Sequence, residues 1–135
     1  MTIDPKKYFD FVYQTTSTPS TDYNALKERI DGLVEEGSAD VPRLITAAFG
    51  LSAEAGEFTE IVKKILLQGK PYSEDNIFHM KRELGDIMWY LAQACMALDT
   101  TFDEVIEMNY EKLSSRFPEG TFDVYYSENR KEGDV

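Results

Sequence analysis

LITAAFGLSAEAGEFTEIVKKI, residues 44–65, repeats its apolar side chains at steps of four and three: Leu44, Ala48, Leu51, Ala55, Phe58, Val62 and Ile65. That spacing is the signature of one face of a helix. The stretch IFHMKRELGDIMWYLAQACMAL, residues 77–98, does the same through Ile77, Met80, Leu84, Ile87, Leu91, Ala94 and Leu98. Between them GKPYS, residues 69–73, is long enough only for a turn. Two amphipathic helices joined so tightly form an antiparallel hairpin, packed at a shallow angle.

The rest of the chain reads as further helices around this pair. Asp4 and Pro5 suit an N-cap and first helical position for a helix over DPKKYFDFVYQTT. TSTPST breaks it, and a second helix runs from about Asp22 to Glu36 and stops at Gly37. Asp40 and Pro42 open the third, which reaches Gln68; Ser73, Glu74 and Asp75 open the fourth, which reaches Leu98. Thr101 and Glu104 have capping-box spacing for a fifth, ending near Phe117 and Pro118. The tail, residues 118–135, shows no period and is expected to be mostly irregular, with a short turn. The fold class is therefore all-α, an antiparallel bundle of about five helices in one domain over residues 1–135.

Charge and composition narrow the function. A net charge of −11 leaves no basic footprint for nucleic acid. No apolar run spans a membrane and no segment reads as a signal peptide. The single cysteine, Cys95, forms no internal disulfide and fits a reducing compartment. A soluble, cytoplasmic chain is expected.

Each long helix carries a second seam, three residues ahead of the apolar one. On the third helix it contains Ala47, Gly50, Glu54, Glu57, Ile61 and Lys64; on the fourth, His79, Glu83, Asp86, Tyr90 and Gln93. Three residues turn a helix by about −60°, so both seams are displaced in the same sense. The two-fold axis relating antiparallel helices keeps such displacements on one side. If the apolar stripes face each other, Glu54, Glu57, Glu83 and Asp86 converge on one edge.

Four clustered carboxylates repel unless they are protonated or share a cation. Oxygen-only ligands suit Mg²⁺ or Mn²⁺ first and Ca²⁺ second. Gly56 and Gly85 stand at equal places beside the acids, and each costs up to about 1 kcal/mol in a helix relative to Ala. Close helix approach or room for a ligand would offset that. Either acid pair alone has an ordinary reading as a solvated face; the shared glycine placement and seam offset favour a metal. A di-iron bundle needs Glu-x-x-His, and His79, the only histidine, reads as a rim residue. On the fifth helix Asn109, Lys112 and Arg116 share a face, and Lys63, Lys64 and Lys70 lie near the end of the third. A hard cation beside clustered ammonium and guanidinium groups is apparatus for a polyphosphate.

GLSAEAGEFTEIVKK, RELGDIMWYL and NYEKLSSRFPEG together resemble the MazG-like all-α nucleoside triphosphate pyrophosphohydrolases, particularly the short single-domain forms carried by phages. The resemblance covers residues 44–120. Glu54, Glu57, Glu83 and Asp86 match the family's four magnesium-holding positions, whereas Ala53 departs from an acid found there. The resemblance implies hydrolysis of nucleoside triphosphates, deoxynucleotides or non-standard nucleotides foremost, to monophosphate and pyrophosphate. It implies Mg²⁺, with Mn²⁺ as substitute. Glu57 would be the general base, and Lys64, Lys112 and Arg116 would stabilise the departing pyrophosphate, with Asn109 and Tyr90 binding substrate. Assembly as a homodimer or homotetramer, in the host cytoplasm for a phage-carried chain, follows from the same likeness.

Two other readings share these residues. An alarmone such as guanosine tetraphosphate also presents a pyrophosphate to a metal. A non-catalytic helical interaction module would need the acid clusters to be inert, with no metal bound and Glu83→Gln tolerated.

Overall fold

The computed structural model describes residues 4–130, which form six α-helices: α1 Pro5–Thr15, α2 Tyr23–Gly37, α3 Val41–Leu67, α4 Glu74–Ala97, α5 Phe102–Arg116 and α6 Val124–Glu128. No strand occurs among the described residues, so the chain is all-α as its periodicity requires. No helix among them is long and apolar enough to cross a membrane. The chain divides into two units between Pro42 and Arg43.

In the first unit the polar residues read as caps do cap. Asp4 Oδ1 accepts the Lys6 N–H at 3.0 Å ahead of Pro5, and Asp22 Oδ1 accepts the Ala25 N–H at 2.7 Å. Each satisfies a donor that the first helical turn leaves without a partner. Between the helices, TSTPST contains a 3₁₀ turn, Thr18–Ser20, which packs on α2. The expected stop at Gly37 is one residue early. Gly37 is helical, and Ser38 takes the left-handed conformation at φ 53°, its N–H bonding the Leu33 carbonyl.

The second unit holds α3 to α6. α3 ends at Leu67; Gly69, at φ 72°, turns the chain, and the Gln68 and Lys70 N–H groups both bond the Lys64 carbonyl at 3.1 Å. A positive φ is where glycine costs least. Ser73 Oγ caps the Asn76 N–H at 3.3 Å, and the buried Asn76 amide donates to the Pro71 carbonyl at 2.6 Å. The connection is thus tied from within. Thr101 Oγ1 accepts the Glu104 N–H at 3.2 Å to begin α5, and Thr100 Oγ1 donates to Glu104 Oε2 at 2.6 Å. The tail is irregular over 117–123, where Phe117 and Phe122 meet at 5.8 Å, and then forms α6 behind the Asp123 cap. Five residues are too few to show a helical period, so α6 was not legible. The end of the tail lies outside the described residues.

Contacts across the hairpin fix its direction. Arg43 Nη1 donates to Gln93 Oε1 at 2.8 Å and lies 3.0 Å from Met96 Sδ. Gly50 lies under the Tyr90 ring, and Glu54 and Glu57 meet Glu83. Numbers rise along α3 as they fall along α4: the helices are antiparallel. The deepest burial follows the second seam, however, through Ala47, 2 % exposed, and Gly50. Leu44, Leu51, Phe58, Ile87 and Leu91 are only partly buried. The expected facing of the apolar stripes is therefore displaced. Small side chains on α3 let α4 approach there, and farther along the pair Glu54 and Glu83 are partly buried while Glu57 and Asp86 are exposed.

The expected role of Gly56 and Gly85 changes with it. A Cβ at either would meet nothing within 4 Å, so of the two expectations close helix approach falls to Gly50, and open space for a ligand beside the acids stands.

Candidate metal centre and adjoining cleft

Glu54 and Glu57, one turn apart on α3, and Glu83 on α4 each offer an oxygen, and the three oxygens lie within 4.8 Å of one another. Glu54 and Glu83 are partly buried, and Glu57 is exposed. Two oxygens on opposite sides of one Mg²⁺ stand about 4.2 Å apart at bond lengths of ~2.1 Å. The three side chains thus match one small divalent ion with little movement. Their donor set is all oxygen and all anionic, which selects a hard cation.

Asp86 extends this group. It lines, with Glu54, Trp89 and Tyr90, a cleft of about 430 Å³ beside the three glutamates. Burial raises the Glu54 carboxyl above its ordinary range, and the charges of Glu57, Asp86 and Glu83 push the same way. Three of the four acids predicted to converge lie within one cluster, and Asp86 borders the cleft beside them.

The raised Glu54 has a consequence for pH. A carboxyl that keeps its proton longer in the native state stabilises the fold below its unfolded value, and that contribution is lost as pH rises through the folded value. In EDTA the melting temperature of the wild type is expected to fall as pH rises from 4.5, the unperturbed value, through the raised one. Glu54→Gln should flatten that slope. Parallel slopes for the two proteins would show that the carboxylates do not interact.

Tyr90 borders the cleft, its ring packed closely against Gly50. Trp89 meets Tyr90 edge to face, with ring centroids 4.9 Å apart and an interplanar angle of 87°. Gly50 belongs to the same seam as Glu54, one turn before it, whereas Trp89 lies on neither seam and follows Asp86 by three residues.

The cationic candidates are placed differently. Lys64 Nζ lies 3.1 Å from Glu60 Oε1 and Lys63 Nζ 3.7 Å from the same oxygen, and the Lys64 hydrogen bond lowers the Glu60 carboxyl. Asn109 lines a separate, mainly apolar groove of about 510 Å³ between α5 and the loop through Phe122. Lys112, exposed, and Arg116, partly buried, follow it on α5. His79 is exposed and forms an edge contact with Phe78.

Residues 45–121 match the MazG nucleotide pyrophosphohydrolase domain. The chain is 36 % identical over 94 residues to the Gene 37 protein of Mycobacterium phage L5, an alignment covering 67 % of this chain and 82 % of the relative. No solved structure matches it significantly.

Proposed function

The chain belongs to the MazG nucleotide pyrophosphohydrolase family, and from that premise we propose that it hydrolyses nucleoside triphosphates to monophosphate and pyrophosphate with Mg²⁺, or Mn²⁺ in its place. Deoxynucleotides and non-standard nucleotides are the foremost substrates. The observation that carries this reading is the approach of Glu54, Glu57 and Glu83 from two helices to within one ion's reach. Glu54, Glu57, Glu83 and Asp86 would hold the ion. Bound there, it would neutralise phosphate oxygens and lower the pKa of a coordinated water.

Glu57, the exposed member, takes the proton of the attacking water. Water adds to the α-phosphorus; its bond to the bridging oxygen breaks, and pyrophosphate leaves with the electron pair. Tyr90 bounds the substrate cleft beside the acids. Lys64, Lys112 and Arg116 would stabilise charge on the pyrophosphate, and Asn109, in the separate groove on α5, would meet the ligand only where it extends beyond the cleft. The Lys64–Glu60 pair does not oppose this. Both groups are about half exposed at i,i+4, where water screens the attraction and such pairs contribute little.

Assembly with a second copy belongs to the same reading. Phe49, Leu66, Leu67 and Phe78 are all at least 60 % exposed. Sedimentation of the purified protein as a dimer or tetramer would agree with it.

The test is a screen of the standard nucleoside triphosphates with Mg²⁺, measuring pyrophosphate and orthophosphate separately. Pyrophosphate is expected, EDTA should abolish its release, and Lys112→Ala with Arg116→Ala should weaken turnover without unfolding. Stoichiometric orthophosphate without pyrophosphate would overturn the reaction class.

A further inference from the structure

We infer that Trp89 is the platform on which the nucleobase of the substrate stacks, so that the cleft recognises nucleoside triphosphates by an aromatic face and not by polyphosphate alone. The inference rests on the function proposed above and adds a binding residue to it.

Trp89 is 55 % exposed and lines an open cleft together with the acids. An indole carries more apolar area than any other side chain, and leaving half of it in water forfeits the stabilisation its burial would give. What covers it must therefore suit the cleft. The other lining residues are Glu54, Asp86 and Tyr90. A wholly apolar occupant would desolvate the two carboxylates without replacing their water, which is costly. A nucleotide brings both things the cleft lacks: a cation-linked phosphate for the acids and a flat π-face for the indole.

The spacing agrees. Trp89 follows Asp86 by three residues, on the same side of α4 and about 4.5 Å further along its axis at 1.5 Å per residue. With the α-phosphate at the acids, the sugar spans that interval and delivers the base to the indole. The platform is also braced. Tyr90 meets Trp89 edge to face at 4.9 Å, and the Tyr90 ring itself lies on Gly50. Little ordering of the indole remains to be done on binding, which favours affinity.

Stacking depends on the π-face that every base possesses, so it tolerates all of them. Trp89 should raise affinity for any nucleoside triphosphate, purines most, without choosing sharply among bases. Inorganic tripolyphosphate should not sense it.

Trp89 is the only tryptophan of the chain, so its emission reports on this position alone. A non-hydrolysable α,β-imido deoxynucleotide with Mg²⁺ should change the emission saturably, and tripolyphosphate should not. Trp89→Leu should raise KM about 10-fold or more, in the range base–aromatic stacking supplies. It should leave kcat within roughly twofold and inhibition by tripolyphosphate unchanged. Trp89→Phe, which keeps a ring, should lose far less and guards against a folding defect in the first variant. Normal hydrolysis with unresponsive emission, or an equal response to tripolyphosphate, would overturn the platform and leave the enzyme assignment standing. Emission that follows protein concentration and ignores nucleotide would put Trp89 under a second copy and overturn it too. Absence of pyrophosphate release from the same samples would instead overturn the parent reading.

Discussion

Glu83→Gln is expected to lower kcat/KM for any nucleoside triphosphate by at least about 100-fold while leaving the metal-free fold as stable as the wild type or more so. Even groups that only orient a metal's ligands cost roughly 10–100-fold in affinity or activity when removed. Glu83 is a direct candidate, partly buried, and it supplies the α4 side of a cluster whose other oxygens come from α3. The amide keeps the side chain's shape and removes one of four charges that raise each other's energy. Relief of that repulsion is why no loss of stability is expected in EDTA. With Mg²⁺ the two proteins should separate. An ion that binds only the native state adds about 2.7 kcal/mol at 100 times its dissociation constant. The variant, binding more weakly, should gain much less at the same concentration. Melting curves for both proteins, with EDTA and with Mg²⁺, measure this directly. Equal metal-induced shifts together with preserved turnover would remove the metal centre and the enzyme assignment that depends on it.

The second large effect concerns a glycine. Gly50→Ala should destabilise the protein by about 1–3 kcal/mol, the range for overfilling a packed site. The added methyl would fall inside the Tyr90 ring, so ring or helix must move. Gly56→Ala provides the control on the same helix. Its methyl enters open space, and there the better helix propensity of alanine should stabilise by up to about 1 kcal/mol. One substitution, six residues apart on one helix, is expected to change sign. Combining Gly50→Ala with Tyr90→Ala should recover part of the loss, because the clash vanishes with the ring; the coupling follows from a double-mutant cycle. If Gly50→Ala stabilised as much as Gly56→Ala, the close contact at Gly50 would not exist in solution. Activity should fall in Gly50→Ala as well, since Tyr90 and the Trp89 it braces both line the cleft.

Helix starts were legible because capping is local chemistry. Asp4, Asp22, Ser73 and Thr101 each accept a backbone N–H two or three residues on, as their sequence positions require. The convergence of the acids was legible because an antiparallel pair preserves equal offsets. Which seam runs along the contact was not. Periodicity says that Leu51, Phe58 and Leu91 seek burial, but it does not say against what. Closest approach is decided by size, and Ala47 and Gly50 are the small residues there. The glycines singled out beside the acids, Gly56 and Gly85, meet nothing, while the close contact is at Gly50, one turn before Glu54. Trp89 belonged to no seam, and only the shape of the cleft brings it to the site.

The hairpin has a further consequence for how the molecule is made. The four carboxylates and both aromatic rings of the cleft lie between residues 54 and 90, brought together by a single tight connection. Contacts close in sequence form early, because little chain entropy is lost in closing a short loop. Helix growth and loop closure of this kind run in microseconds or less, whereas synthesis adds only about 5–20 residues per second. The acids can meet once α4 has left the ribosome, while α5 is still inside the exit tunnel. During that interval their mutual repulsion opposes the pairing of α3 and α4, and a divalent ion relieves it. The same ion that would serve hydrolysis would then hasten the folding of the nascent chain.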